Sequence, residues 1–136
     1  MSDCIFCKIV SKEIPSEVIY EDDKILAFLD ISPVNKGHSL VIPKKHYENS
    51  LETPEEILKE LIVVVKKVAL AIKKVTGAEG INFGVNNGAA AGQMIFHTHM
   101  HVIPRFKSDG LKLWGSGEYE NEQEAKQFAE KIKEKL

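Results

Sequence analysis

The stretch from Thr53 to Thr76 constrains this chain more than any other segment, because it reads as one long helix. Thr53 supplies a capping hydroxyl, Pro54 suits the first helical position, and Glu56 completes a capping box. Gly77 is the expected stop. Between these ends Leu58, Leu61, Ile62, Val65, Val68 and Ile72 belong to an apolar arc wider than one core-facing stripe. Such a helix is expected to cover a sheet with one face, and the width of the arc hints that a second face packs on another subunit.

Short strand patterns surround this helix. Glu17–Glu21 and Lys24–Asp30 are joined tightly through Asp22-Asp23, and a turn over Ser32–Gly37 leads to His38–Ile42, closed by Pro43. Ile81–Asn86 and Ile95–Ile103 follow the helix. Cys4–Glu13 has the spacing of a short amphipathic helix that ends near Pro15. Asn121 to Glu124 caps a last helix with a narrow stripe of Ala125, Phe128, Ala129 and Ile132. Short connections and one inserted long helix predict an α+β fold with a mainly antiparallel sheet of about five strands. The 136 residues form a single domain, with a core at about 4–105 and a C-terminal extension over 106–136. Neither a βαβ alternation nor a Gly-x-Gly-x-x-Gly fingerprint points to a dinucleotide fold.

Charge and hydropathy narrow the partners. A net charge of −2 gives no basic field for a nucleic-acid polymer. The longest apolar run, Leu61–Val65, is interrupted by Lys66-Lys67 and is too short for a membrane. The start, Met1 to Cys4, lacks the pattern of a signal peptide, so a cytoplasmic location is expected.

The chemistry is concentrated in Phe96-His97-Thr98-His99-Met100-His101. In an extended strand His97, His99 and His101 line one side. Three readings compete: a solvated polar face, a metal site, and nucleophilic catalysis by one imidazole. The preceding loop, Asn86 to Gln93, is rich in glycine and alanine, so its backbone can approach a ligand and aim N–H groups at phosphate oxygens. A tight strand connection would look similar. Cys4 and Cys7 form a CxxC, which in a cytosolic chain suggests half a zinc site or a redox pair more than a structural disulfide. Candidate completing donors are His38, His46 and the histidine row.

The run resembles the histidine triad (HIT) motif, His-φ-His-φ-His-φ-φ with φ apolar; Thr98 departs from it but faces away from the row. The likeness extends through Cys4–Glu13, Phe28–Pro33, Gly37–His46 and Asn86–Arg105, and is closest to the branch of nucleotide-binding hydrolases. That resemblance implies a HIT-like fold and attack by His99 on the α-phosphorus of a purine nucleotide, through a nucleotidyl-histidine that water cleaves. His101 and the loop amides at Gly92, Gln93 and Met94 would stabilise phosphate charge, and Asn86 would orient phosphate or leaving group. Met94 stands where many relatives carry a hydroxyl residue, which leaves its backbone N–H for that role. Asp30 matches the ribose-binding acid, with turn capping as the rival role, and Ile5, Phe6, Ile9 and Ile31 would form the base pocket.

The resemblance also implies a structural zinc held by Cys4, Cys7, His46 and His97, and a homodimer built on the long helix and a strand. His38 is read as structural. Phosphoramidates or adenylylated compounds are the expected substrates, and dinucleoside polyphosphates are the nearest alternative. A scaffold that binds nucleotide without turnover, or a hydrolase using metal held by all three histidines, are the readings from other classes.

Overall fold

The computed structural model describes residues 3–136. Its sheet has β1 (Val18–Glu21), β2 (Ile25–Leu29), β3 (Ser39–Pro43), β4 (Gly80–Gly84) and β5 (Met100–Arg105) in the order β1-β2-β3-β5-β4. Every neighbouring pair is antiparallel. Three helices accompany it: α1 (Ile5–Val10), α2 (Glu55–Thr76) and α3 (Glu122–Lys135). The mainly antiparallel α+β architecture expected from the sequence is therefore the one observed.

Strand alternation gives the sheet two covered faces. Leu61, Val65, Val68 and Ile72 of α2 pack on Ile25, Ala27, Val41 and Val102. On the other face Phe6 and Ile9 of α1 pack on Leu26, Phe28, Leu40 and Ile42. Because both sides are covered, β2 and β3 are almost continuously apolar. Each of the Val, Leu, Ile and Phe side chains among them contributes about 1.5–3 kcal/mol by leaving water. α2 ends at Gly77, whose φ of 71° takes the left-handed conformation expected of it.

Two local expectations are corrected. No side chain caps α2: Thr53 Oγ1 bonds instead to Asn49 O at 2.8 Å and to Thr98 Oγ1 at 2.8 Å, while Glu56 accepts from Lys59. A buried tertiary partner has outcompeted the local cap. The histidine strand also starts later than predicted, at Met100, so His97 and His99 precede the ladder. Pairing between β3 and β5 stops at Val41–Met100, and Pro43, without an N–H, cannot donate to extend it. The Thr98 N–H turns to Tyr47 O at 2.8 Å instead. Among the described residues no helix is long and apolar enough to cross a membrane.

Candidate active site and metal centre

On the α1 face, a cavity of about 370 Å³ lies between α1, the end of β2 and the histidine segment. Ile5, Phe6 and Ile9 line one wall, and Asp30, Asn86, His99 and His101 the other. Ile31, Gly92 and Met94 stand at its edge; the Ile31 and Met94 side chains are largely exposed. The Phe6 ring meets His99 edge-on, with centroids 5.2 Å apart, and His99 in turn meets His101 at 5.1 Å.

Hydrogen bonds assign each imidazole a tautomer. His99 Nδ1 lies 2.7 Å from His97 O, a partner that only accepts, so Nδ1 carries the proton and Nε2 keeps its lone pair. His38 was expected to be structural, yet its Nε2 stands 2.9 Å from His101 Nδ1. The Val34 N–H donates to His38 Nδ1, so a neutral His38 carries its proton on Nε2 and donates to His101. His101 is left with an Nε2–H donor. The sequence signal for His38 was weak, because its partner lies 63 positions away.

Burial favours the neutral form of all these rings. It lowers His99 and His38, with the Asp30 charge opposing, and it pushes His101 down to about 4, helped by His99 and His38. Asp30 divides its carboxylate: Oδ1 accepts from the Ser32 N–H at 2.8 Å, while Oδ2 lies 3.6 Å from His38 Nε2. Oδ1 thus caps the turn, and Oδ2 is the oxygen turned towards His38.

The glycine-alanine loop is less of an anion nest than expected. The N–H groups of Ala91, Gly92 and Gln93 close a short 3-10 turn on Gly88 and Ala89. Gln93 is buried, and its side chain braces the loop through Gly88 N, Glu48 O and Ile95 O rather than facing the cavity. Met94 lines the cavity edge, and its backbone N–H is among those that a ligand there could meet.

Beside this cavity Cys4, Cys7, His46 and His97 present four donor atoms within 4.8 Å of one another. Cys4 Sγ lies 3.4 Å from His97 Nδ1, and Cys7 Sγ lies 3.5 Å from His46 Nδ1 and 3.6 Å from His97 Nδ1. Tetrahedral zinc, with Zn–S of about 2.3 Å and Zn–N of about 2.0–2.1 Å, requires a sulfur–nitrogen separation of about 3.6 Å. The donor set therefore fits. His97 Nε2 is bonded to Pro43 O at 2.8 Å, which leaves Nδ1 unprotonated and turned to the sulfurs. Burial first, then the neighbouring Cys4, pushes the Cys7 thiol up to about 11, and a bound cation would invert that preference.

Known proteins with this pattern are many. A family model described as the HIT domain matches residues 11–108. An adenylylsulfatase of Arabidopsis thaliana is 50% identical over 115 residues, covering 85% of this chain and 57% of that enzyme. A crystal structure from Streptococcus mutans UA159 superposes with a TM-score of 0.94 at 44% identity, over 99% of this chain and 86% of that one. A zinc-bound histidine triad family protein from Mycobacterium smegmatis has a TM-score of 0.78 at 40% identity, over 86% and 85%.

Proposed function

The chain belongs to the HIT domain family, and from that premise we propose that it is a nucleotide-binding hydrolase or nucleotidyl transferase acting at the α-phosphate of purine nucleotides. The observation that carries this reading is the His99 tautomer: Nδ1–H is committed to His97 O, and Nε2 is free at the cavity wall. Nε2 donates its lone pair to the α-phosphorus, and the bond to the leaving group breaks with its electrons going to that group, which takes a proton from water. The imidazolium so formed keeps its Nδ1 proton against the His97 carbonyl. Water then cleaves the N–P bond and restores neutral His99.

His101 Nε2–H and the Met94 N–H donate to the phosphate oxygens where charge develops, and Asn86 orients the phosphate or the leaving group. Asp30 Oδ2 accepts from the ribose hydroxyls, and Ile5, Phe6, Ile9 and Ile31 take the base. The similar adenylylsulfatase supports an adenylylated or phosphoramidate substrate.

Cys4, Cys7, His46 and His97 hold a structural zinc, a reading supported by the sulfur–nitrogen spacing and by the zinc-bound relative. Bound there, zinc would cross-link α1 to the histidine segment and leave His99 and His101 for chemistry. The protein works as a homodimer, a reading supported by the exposed edge of β4 and by the exposed Ile62, Val63 and Leu70 of α2.

A hydrolysis panel tests the activity, setting adenosine and guanosine phosphoramidates against dinucleoside polyphosphates. His99→Ala is expected to be inert, and acid quench of the wild type should trap a nucleotidyl-protein. Turnover that survives in His99→Ala, or a panel in which nothing is hydrolysed, overturns the reading.

A further inference from the structure

The donor cluster of Cys4, Cys7, His46 and His97 has features that a purely structural metal site does not need. Its two sulfurs are the only cysteines of the chain, three positions apart, and both are half-buried rather than sealed. Among the described residues, a second cavity of about 310 Å³, lined by Cys4, Ile5, Met94, Ile95 and Phe96, gives onto Cys4. A small oxidant fits there, since a water molecule takes about 30 Å³. Apart from Asp3 the walls are apolar, which favours an uncharged visitor over an anion.

Cys7 stands directly beside Cys4. The Cys7 N–H donates to Cys4 Sγ at 3.4 Å, and the two sulfurs lie within 4.8 Å of each other. Around tetrahedral zinc two sulfurs stand about 3.8 Å apart, whereas a disulfide holds them at about 2.05 Å. The metal and the disulfide need different separations, so the pair takes one state or the other. Bound zinc would also keep both sulfurs as thiolates, the form that attacks a peroxide oxygen.

The same cluster holds the surroundings of His99. His97 Nδ1 faces the sulfurs, 3.4 Å from Cys4 and 3.6 Å from Cys7, while the His97 carbonyl accepts from His99 Nδ1 at 2.7 Å. The next anchor of the segment is the Tyr47 carbonyl, which takes the Thr98 N–H, and Tyr47 directly follows His46. Phe6, between the two cysteines, meets the His97 ring at 5.9 Å and the His99 ring at 5.2 Å. The strand ladder gives no support here, because β5 begins at Met100. The contacts that place His99 therefore run through the metal donors or their immediate neighbours.

We propose that this centre is a redox switch, in which hydrogen peroxide converts Cys4 and Cys7 to a disulfide, the zinc ion is released, and His99 loses its fixed tautomer. The Cys4 thiolate attacks one peroxide oxygen, the O–O bond breaks, and the departing hydroxide takes a proton to become water. The Cys7 thiolate then attacks the sulfur of the Cys4 sulfenic acid, and the second hydroxide leaves and is protonated in turn. The sulfurs together lose two electrons, peroxide becomes two waters, and zinc departs as the same dication. His46 and His97 remain as neutral imidazoles without a shared centre. The His97 carbonyl no longer has a fixed direction, and the His99 proton exchanges between its two nitrogens. The switch rests on the zinc reading above and not on the identity of the substrate.

The full-length, zinc-loaded protein, labelled with nitrogen-15 histidine, is treated with a small excess of hydrogen peroxide beside a chromogenic zinc chelator. About one zinc per chain should be released. The tryptic peptide over residues 1–8, which carries both cysteines, should resist alkylation and weigh two hydrogens less. In nitrogen-15 spectra the Nδ1–H pattern of His99 should give way to an averaged signal, and dithiothreitol with added zinc should restore it. Protein stripped of zinc while reduced should show the same averaged signal without the disulfide. A preparation that holds no zinc before treatment overturns the zinc reading and the switch with it. Zinc that stays bound under peroxide, cysteines that gain oxygen instead of losing hydrogen, or a His99 signal indifferent to zinc loss overturns the switch alone.

Discussion

At the scale of single residues, the site depends on which nitrogen of each imidazole carries the proton. His101→Ala removes a donor outright, and kcat is expected to fall about 10²–10³-fold. His38→Phe leaves that donor in place but frees its tautomer, so a smaller loss is expected, about tenfold in kcat with KM little changed. Steady-state kinetics on the preferred substrate separates the two, and equal losses would show that His38 does more than orient. Acid sensitivity follows from the same burial. The folded His101 sits near 4, below the ordinary 6.5, so between those values the unfolded chain binds the extra proton. Stability contributed by the neutral ring is complete above about 6.5 and is lost as pH falls towards 4. Urea midpoints across that window should drop with pH in the wild type and drop less in His101→Asn.

At the scale of elements, α2 and α3 depend on different things. Leu61 is wholly buried in the α2 layer, and Leu61→Ala is expected to cost about 2–5 kcal/mol by denaturant unfolding. Asn121→Ala removes only the α3 cap and is expected to leave that midpoint almost unmoved, because α3 is unburied. The sheet, the helices and the residue types of the site were legible in the sequence, because periods of 2 and 3.6 and the capping and stop residues are local signals. What was not legible was set by distant competitors. Thr53 reads as a cap until Thr98 claims its hydroxyl. The histidine run reads as a strand until Pro43 denies it a ladder. Gln93 reads as part of a ligand loop until its amide is found bracing Glu48 O and Ile95 O. His38 reads as a turn residue until His101 is found beside it.

At the scale of the whole molecule, zinc would act as a cross-link between the N-terminal helix and the catalytic segment. Elemental analysis of the purified protein should find about one zinc per chain, and Cys4→Ala or His46→Ala should lose it. Prolonged chelation is expected to lower the melting temperature, and an unchanged melting temperature in metal-free protein would argue against a structural ion. His97 links this centre to His99, since it offers a ring nitrogen to the donor cluster and its carbonyl to the His99 ring.

The two rims of the sheet are unlike. β1 is short, preceded by Glu17 and ended by Glu21, and broken in register between Val18 and Tyr20, whereas β4 runs regularly along its whole pairing with β5. A rim kinked in this way is a poor template for a further strand, and an even one is a good template. Sheet-to-sheet growth from this chain therefore has one start and no continuation. Two copies joined through β4 would each present only the kinked rim, so such a ladder would terminate at ten strands and could not propagate into a fibre.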